Sequence, residues 1–366
     1  MKLLLVEPWF TGSHQQWAEG YRAVSRHDVR LAALPGERWR WRLRAGALEI
    51  APRVLEVVGD GWSPEVVLVS GLIDVAVLKG LLSERLGHPA WVIYQHESQI
   101  VYPNPEGTID VEATMHNANS WMVADLVVFN SVFHRGAVMD ALAACPAGLT
   151  RPVAEAVAGR LADRSVVAGV GIDLSWTTTK ADSRHDEPWI LWPHRWDWDK
   201  RPDLLLRALR KLRTATAAFG LVLAGEDGNE SAVKDAIEAE FAPNIVACGP
   251  FDPMTYRRLV LQSDIVVSCA DHEFFGVGIV EALAAGCVGV LPNRLSYPGL
   301  VGPLNARLLY DGKSFGAALA AAVLAAAAGD HNPTWPAQIA ADLRHHFDWA
   351  VLGPHYDAFV EAIVRP

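Results

Sequence analysis

Residues 2–14 read KLLLVEPWFTGSH, an apolar run followed by a loop with one glycine and then by a helical stretch. This order is typical of a strand, a connecting loop and a helix. Similar apolar runs stand at VVLVS (66–70), AWVIY (90–94), DLVVFN (125–130), WILWP (189–193), FGLVLAG (219–225), NIVACG (244–249) and DIVVSCA (264–270). Strands that alternate with helices predict parallel, doubly wound sheets, so we expect an α/β fold with two similar halves.

The length of the chain predicts more than one domain. Because 366 residues exceed the usual size of one compact core, we expect two domains with a ligand cleft between them. We place the first domain at residues 1–172, a polar linker at 173–188 and the second domain at 189–345. Residues 346–366 are predicted to form a helix that packs back toward the N-terminal domain.

Composition excludes several classes of protein. A formal net charge of −10 argues against an overall basic nucleic-acid binder, although residues 20–53 hold eight arginines and three acidic residues, a local balance of +5. Four cysteines without a CxxC pair suggest neither a disulfide framework nor a zinc site. Residues 1–6 are too short for a signal peptide or a membrane span, so we expect a cytoplasmic protein without a membrane partner.

Residues 271–282, DHEFFGVGIVEA, follow a strand and lead into an apolar helix that Gly286 is placed to cap. Backbone N–H groups at residues 275–277 would sit at the helix N-terminus, which favours an anion such as a diphosphate. Glu273 in the loop and Glu281 on the second helical turn can then bracket the diphosphate and accept hydrogen bonds from sugar and ribose hydroxyls. In the alternative interpretation, Glu281 is a solvated helix residue and Glu273 an N-terminal cap.

Two cations follow the strand at residues 189–193. Arg195 and Lys200 precede a helix that Pro202 favours. Since cations oppose the dipole at a helix N-terminus, we interpret them as offset by a bound anion, the diphosphate leaving group. The alternative is a pair of solvated side chains. Two cations can replace a metal ion, and no paired-aspartate motif follows a strand, so we expect no metal and no other cofactor.

The N-terminal half offers weaker signals. Gly12 would let the backbone approach a ligand closely, and His96-Glu97 closes a strand at the sheet edge where ligands bind. This pair can orient a sugar hydroxyl or shuttle a proton, and it is equally consistent with a structural role. The pocket for the donor base is expected from backbone near residues 248–251, at another strand end.

Residues 38–44 read RWRWRLR. If extended, this segment would place its arginines on one side and Trp39, Trp41 and Leu43 on the other. Arginines can pair with phosphates, and an exposed tryptophan can stack on a splayed RNA base. The alternative is an edge strand with a buried tryptophan face and a solvated arginine face.

Glu273-x7-Glu281 and Arg195-x4-Lys200 resemble the signatures of retaining family-4 glycosyltransferases of the GT-B type. The whole series of motifs is similar to the tRNA-queuosine α-mannosyltransferase family. The motifs of this series are EPWFTGSH (7–14), LPGERWRWR (34–42), YQHESQ (94–99), FNSVF (129–133), WPHRW (192–196) and HEFFGV (272–277). The family's usual His-Glu-Asn stands here as His96-Glu97-Ser98.

The resemblance implies a GT-B fold of two Rossmann-like doubly wound domains with an interdomain cleft, the first on the acceptor side and the second binding the nucleotide-sugar. It implies transfer of mannose from GDP-mannose to queuosine in the anticodon of tRNA-Asp with retention, so the expected partners are a nucleotide-sugar and tRNA. Three alternatives stay open: the same fold with another nucleotide-sugar donor and a lipid or small-molecule acceptor, a nucleotide-sugar epimerase, and a non-catalytic binding protein.

The resulting site assignment has three groups. The predicted catalytic residues are Glu273, which the resemblance places on the transferred hexose, His96, Arg195 and Lys200. The predicted donor-binding residues are Gly12, His194, Phe275, Gly276, Val277, Glu281, which the resemblance places on the ribose, Gly249 and Phe251. The predicted acceptor or tRNA-binding residues are Arg38, Trp39, Arg40, Trp41, Arg42, Arg44, His14 and Glu97.

Overall fold

A computed structural model describes residues 1–104, 108, 110–178, 185–216, 218–302, 308–328 and 334–364. The chain divides into two units, one formed by Met1–Ile172 with Trp349–Pro366 and the other by Asp173–Asp348. Residues 179–184 of the predicted linker and the last two residues of the predicted C-terminal helix lie outside the described residues.

All the strands described lie in parallel pairs. Those of the first unit are β1 (Lys2–Phe10), β2 (Asp28–Pro35), β3 (Val66–Ser70), β4 (Ala90–Gln95), β5 (Leu126–Phe129) and β6 (Ser165–Val167). Those of the second unit are β7 (Trp189–Trp192), β8 (Gly220–Leu223), β9 (Ile245–Cys248), β10 (Ile265–Val267), β11 (Val288–Pro292) and β12 (Leu309–Tyr310).

The strand order fixes where each sheet can bind a ligand. The first sheet runs β2-β1-β3-β4-β5-β6 and the second β12-β11-β10-β7-β8-β9. In a doubly wound sheet the order reverses at one point, and ligands bind outside the carboxyl ends of the strands there. That point lies between β1 and β3 in the first unit and between β7 and β10 in the second.

Helices connect these strands. Those of the first unit are α1 (Gly12–Val24), α2 (Trp39–Val58), α3 (Val75–Leu86), α4 (Val111–Val123), α5 (Val132–Ala144), α6 (Arg151–Arg164) and α14 (Trp349–Val364). Those of the second are α7 (Pro202–Ala215), α8 (Ser231–Phe241), α9 (Pro253–Gln262), α10 (Val277–Ala284), α11 (Tyr297–Val301), α12 (Phe315–Ala327) and α13 (Thr334–Phe347). Over the described residues, the structure has no helix with the length and apolarity that crossing a bilayer requires.

Each unit has its own apolar core between sheet and helices. The inner strands are buried on both faces, which is why they read as continuous apolar runs in the sequence. The C-terminal helix α14 belongs to the first unit, where Tyr21 Oη of α1 donates a hydrogen bond of 3.0 Å to Asp357. Trp349 fills the space beside Gly20, where a Cβ atom would stand 2.1 Å from the indole nitrogen.

The predicted α/β class and the eight predicted strands are confirmed, and four strands were not predicted. β2, β6 and β12 lie at sheet edges, where a strand needs no continuous apolar run because one side lacks a neighbour. β11 is an inner strand that Gly289 interrupts. Its apolar run is therefore shorter than those of the strands that the sequence predicted.

Candidate active site

In the second unit, two polar loops meet at the switch point between β7 and β10. The loop after β7 carries Lys200, and the loop after β10 carries Glu273. Lys200 Nζ donates a hydrogen bond of 2.8 Å to the carbonyl oxygen of His272, and the N–H of Asp271 donates one of 2.8 Å to the carbonyl oxygen of Asp199. The predicted catalytic residues of these loops therefore lie together.

Lys200 is a buried cation between two carboxylates. Its Nζ lies 3.2 Å from Asp199 Oδ2 and 3.3 Å from Glu273 Oε2. Burial opposes the charge, but the attraction of Glu273 and Asp199 outweighs it and raises the pKa of Lys200. The inference that this cation needs a bound anion to offset the helix dipole was therefore wrong, since these two carboxylates already offset it.

The other predicted cation stands in solvent. The side chain of Arg195 is 53% exposed, and its Nη2 lies 3.3 Å from Asp197 Oδ2. Beside it His194 is buried, and its Nε2 has no hydrogen-bond partner among the described residues. Burial, with the charges of Lys200 and Arg195, holds the pKa of His194 well below its ordinary value. The neutral form of the buried His194 ring is therefore favoured.

Helix α10 begins where the anion site was predicted. Its N-cap residue Gly276 has φ 98°, a left-handed conformation that favours glycine. The hydroxyl of Ser296 donates a hydrogen bond of 2.9 Å to the carbonyl oxygen of Phe275 and so anchors this turn. The first four N–H groups of a helix have no acceptor within the helix. The N–H groups around Val277 thus lie at a helix terminus, where the sequence predicted an anion site; that an anion binds there stays a prediction.

Glu281 lies on the second turn of α10, as predicted, but it is not a solvated helix residue. The hydroxyl of Tyr256 in α9 donates a hydrogen bond of 3.0 Å to Glu281 Oε2. Burial raises the pKa of Glu281 to about 7, in spite of the hydrogen bond from Tyr256 and the charge of Arg257. The buried carboxyl group of Glu281 therefore lies on the helix that follows β10.

The pKa of Glu281 predicts how stability depends on pH. Because the folded pKa is about 7 and the ordinary value 4.5, wild-type stability should fall as pH rises from about 4.5 through 7. We expect Glu281→Gln to remove this decline, so that the variant exceeds the wild type by up to about 3 kcal/mol at pH 8 and matches it near pH 4.5. Urea unfolding without nucleotide at both pH values measures the difference.

The exposed Glu226 provides the control for this measurement, because Glu226→Gln removes a carboxylate that is already in solvent. The free energy of unfolding of the Glu226→Gln variant should equal that of the wild type at both pH values. A stability difference between wild type and Glu281→Gln that stayed constant with pH would contradict the assignment of a neutral buried carboxyl group.

The predicted base-pocket residues lie farther along the sheet. Gly249 follows β9, with φ 128°, and Phe251 lies just before α9. β9 is an edge strand, and β8 separates it from β7. The structure therefore places these residues at the carboxyl end of the sheet but not at its switch point.

In the first unit, the predicted residues gather at the ends of β1 and β4. Gly12 is the first residue of α1, with φ 51°, and a Cβ atom there would meet nothing within 4 Å. The rings of His14 and His96 pack together with their centroids 4.1 Å apart. Glu97 accepts a hydrogen bond of 2.9 Å from the Gln99 side chain. His14 and His96, predicted from separate motifs, are thus neighbours.

One group among the described residues has donor atoms close enough to hold a metal ion: those of Glu7, His14 and His96 all lie within 4.8 Å of one another. Two imidazoles bound to one tetrahedral ion, with metal–nitrogen bonds of about 2 Å, would have ring centroids about 5 Å apart. The observed rings are closer, at 4.1 Å and an interplanar angle of 35°. This geometry favours packed rings over a shared ion.

The extended conformation considered for residues 38–44 was wrong, because helix α2 begins at Trp39. Side chains one residue apart on a helix differ by about 100°, so arginines and tryptophans do not alternate between two faces. Arg42 is buried, where it donates a hydrogen bond of 3.0 Å to the Pro35 carbonyl oxygen and pairs with Glu49. The alternation of arginine and tryptophan in the sequence did not indicate that Arg42 is a buried structural residue.

Apart from Leu43, which is buried, the remaining residues of this segment stand at the surface. Arg44 forms an ion pair of 2.6 Å with Glu112 of α4. Trp39 and Trp41 are exposed, and the guanidinium of Arg40 lies 5.1 Å from the centroid of the Trp39 ring. Arg38 has φ 54° and precedes the helix. Arg38, Trp39, Arg40 and Trp41, which we call the Arg–Trp surface, form an exposed patch of cations and aromatic rings.

Sequence reasoning gave no role to three residues that the structure places at these sites. Asp199 pairs with Lys200, Tyr256 bonds Glu281, and Glu7 contacts His14 at 3.3 Å. Asp199 and Glu7 stand within the motifs quoted above, so their proximity was a usable signal. Tyr256 lies 25 residues from Glu281 and had none.

Two family models match the chain. The model described as tRNA-queuosine alpha-mannosyltransferase N-terminal matches residues 2–172, and the model described as glycosyl transferases group 1 matches residues 177–331. A tRNA-queuosine alpha-mannosyltransferase of Drosophila melanogaster is 29% identical over 310 residues, which cover 81% of this chain and 80% of the Drosophila protein.

Solved structures resemble the chain at low identity. Sucrose-phosphate synthase from Thermosynechococcus elongatus has a TM-score of 0.72 and 13% identity, covering 99% of both chains. The catalytic domain of Arabidopsis thaliana starch synthase IV, bound to ADP and acarbose, has a TM-score of 0.73 and 11% identity, covering 100% of both chains. With the two parallel sheets, these likenesses show the two-domain, Rossmann-like GT-B fold.

Proposed function

Since the chain belongs to the tRNA-queuosine α-mannosyltransferase family, we propose that it transfers mannose from GDP-mannose to queuosine in the anticodon of tRNA-Asp. It is a hexosyltransferase, as its glycosyltransferase region and its Drosophila relative indicate. GDP-mannose as donor and tRNA-Asp as acceptor are the finer parts of this proposal.

One observation supports the proposal most strongly: Lys200, Glu273 and the N-terminus of α10 meet at the switch point of the second sheet. We assign the diphosphate to Arg195, Lys200 and the N–H groups of residues 275–277. Glu273 accepts hydrogen bonds from the transferred hexose, and Glu281 does so from the ribose. His194 and the backbone of Gly249 and Phe251 complete the proposed donor site.

The proposed reaction retains the configuration of the sugar. The bond between the anomeric carbon and the phosphate oxygen breaks, an acceptor oxygen bonds to the same face of that carbon, and the departing phosphate oxygen takes the acceptor proton. Lys200 and Arg195 stabilise the negative charge that develops on the leaving group. We give Glu273 no nucleophilic role, because a double displacement would also need an acid beside the anomeric carbon.

The first unit contributes the proposed acceptor contacts. His96 and Gly12 contact the sugar, while His14 and Glu97 contact the acceptor. On the Arg–Trp surface, arginines pair with tRNA phosphates and the exposed indoles of Trp39 and Trp41 stack on splayed bases. Arg44 belongs to this proposal through its exposed guanidinium, whereas Arg42 supports the surface from the interior.

We propose that the transfer needs no metal ion, because Lys200 and Arg195 supply the positive charge that a divalent cation provides at other diphosphate sites. The reaction partners are then the nucleotide-sugar and tRNA, and the proposed compartment is the cytoplasm. Activity that persists in EDTA and does not rise with added Mg²⁺ or Mn²⁺ is the expected result.

The function is tested by incubating the protein with radiolabelled GDP-mannose and two preparations of the same tRNA, one with queuosine and one with guanosine at that position. We expect label only on the queuosine-containing tRNA. GDP-glucose, which changes only the sugar, and UDP-mannose, which changes only the base, serve as matched donors. Equal labelling of both tRNAs, or labelling of neither, would contradict the assignment of queuosine as the acceptor.

A further inference from the structure

Glu7 is a buried carboxylate in the first unit that the proposed transfer does not use. It lies in β1 at the switch point of the sheet and has no exposed surface. Its Oε1 accepts a hydrogen bond of 2.8 Å from the N–H of Trp9 and lies 3.3 Å from His14 Nδ1. Its Oε2 has no hydrogen-bond partner among the described residues. A buried carboxylate is stabilised by a neighbouring positive charge, and His14 is placed to provide it.

The surroundings of His14 hold its ring in place. Its imidazole packs on the ring of His96, which in turn meets Trp17 edge-on with centroids 4.8 Å apart and Tyr94 with centroids 4.8 Å apart. Trp17 also stacks on Tyr94 at 4.7 Å. Packing limits the movement of the His14 ring, and the contact of Nδ1 with Glu7 Oε1 fixes which ring nitrogen faces the carboxylate.

Charge within this cluster is divided unequally between the two histidines. Burial lowers the pKa of His14, but the charge and hydrogen bond of Glu7, with the charge of Glu97, outweigh burial and raise it above its ordinary value. Burial and the charges of His14 and His134 hold the pKa of His96 well below its ordinary value. The protonated form is therefore favoured at His14 and the neutral form at His96.

We propose that Glu7 is a positioning residue for His14: its carboxylate fixes the ring through Nδ1 and keeps it an imidazolium, so that Nε2–H donates a hydrogen bond to the acceptor hydroxyl oxygen. The inference rests on the proposed function, in which His14 contacts the acceptor. An imidazolium beside that oxygen stabilises negative charge that develops as the hydroxyl proton leaves. Glu7 thus acts on the reaction only through His14.

Glu7 from β1 and Glu97 from the segment after β4 act on the charge of His14, and the His96 ring packs against it. Behind His96 lie further titratable groups that reach His14 only through that ring: His134 from α5, the phenol of Tyr94 in β4 and, against Tyr94, the phenol of Tyr356 in α14. Burial raises the pKa of both phenols, so they stay neutral at physiological pH. Glu7 is the group whose carboxylate reaches the His14 ring directly, which makes it the substitution of choice.

The first test measures the charge of His14 without substrate. NMR titration of isotope-labelled imidazoles in the full-length protein should show His14 losing its proton at lower pH in Glu7→Gln than in wild type, by about one unit or more. Since one unit of pKa is tenfold in the protonated fraction, mannosyl transfer on the alkaline side should fall about tenfold, with its alkaline limb displaced to lower pH. Glu7→Asp should recover part of both effects.

A double-mutant comparison tests whether Glu7 acts through His14. If it does, Glu7→Gln added to His14→Gln should lower kcat by less than twofold further, because the group that Glu7 positions is already absent. Full additivity of the two losses would overturn the inference. So would an unchanged His14 titration in Glu7→Gln, which would leave Glu7 a structural residue.

Asp357 provides a matched control for stability. This buried carboxylate of the same unit accepts hydrogen bonds from Tyr21 and Ser25, so Asp357→Asn should lower Tm while keeping the wild-type pH profile. Zinc that binds the wild type in one-to-one ratio, and is lost in Glu7→Gln, would replace the inference by a metal site. A failure of queuosine labelling alongside the expected His14 titration would reject the proposed function and leave the Glu7–His14 ion pair in place.

Discussion

Replacing Lys200 with methionine is expected to lower kcat for mannosyl transfer on the order of 100- to 1,000-fold, because one preorganised charge on the leaving group is lost. The same change removes the cation that lies 3.2 Å from Asp199 and 3.3 Å from Glu273. Breaking a buried ion pair from one side costs about 3–5 kcal/mol, so we also expect a lower free energy of unfolding. Lys200 is thus expected to serve both the reaction and the fold.

Two measurements separate these effects. Single-turnover transfer from radiolabelled GDP-mannose gives the chemical step, at a temperature where near-UV circular dichroism shows the variant to be folded. Urea unfolding gives the stability. Lys200→Arg keeps the charge and should recover stability more than kcat, because a planar guanidinium cannot reproduce the position of an ammonium group. Wild-type kcat in folded Lys200→Met would remove Lys200 from the mechanism.

Replacing Arg195 with alanine is expected to lower kcat about 100-fold, with little loss of stability. Its side chain is 53% exposed, and the contact with Asp197 at 3.3 Å is a surface ion pair. Such pairs contribute at most about 1 kcal/mol to folding. Since Arg195 is assigned to the leaving group, the loss should appear in kcat rather than as a change of Tm.

Arg207 on α7 supplies the control for Arg195, because it is also an exposed arginine in an ion pair with a neighbouring aspartate. Arg207→Ala should keep both kcat and Tm within the error of the wild type. If Arg195→Ala transferred mannose at the wild-type rate, Lys200 and the N-terminus of α10 would have to hold the leaving group without it. A rise in KM with kcat unchanged would assign Arg195 to donor binding and not to the transition state.

The sequence predicted a set of donor residues but misjudged their surroundings. Glu281 was assigned to α10 from spacing alone, yet neither its burial nor its bond to Tyr256 had a pattern in the sequence. Lys200 was interpreted as a cation that awaits an anion, whereas Asp199 and Glu273 already surround it. Asp199 is adjacent to Lys200 in the chain, but the contacts of Lys200 with Glu273 and of Glu281 with Tyr256 join segments far apart, and no local period records such contacts.

The segment at residues 38–44 shows the opposite limitation. Alternating arginine and tryptophan fits a strand by period, but the 20 residues that follow Arg38 continue as the helix α2. The period of two came from a few residues, and the longer helical stretch decided the conformation. Of the predicted patch, the Arg–Trp surface is exposed. Arg42 is buried and contacts Glu49 and the Pro35 carbonyl oxygen.

By itself, the sequence determined that the chain forms two α/β units, because buried parallel strands must be continuous apolar runs and the helices between them must be amphipathic. It also determined which loops carry the polar residues, since motifs are contiguous. Only the tertiary structure decided the strand order, which brings β7 beside β10 and so places Lys200 against Glu273. It likewise decided that Glu7 meets His14. Strand order arises from packing of whole elements, which no single segment encodes.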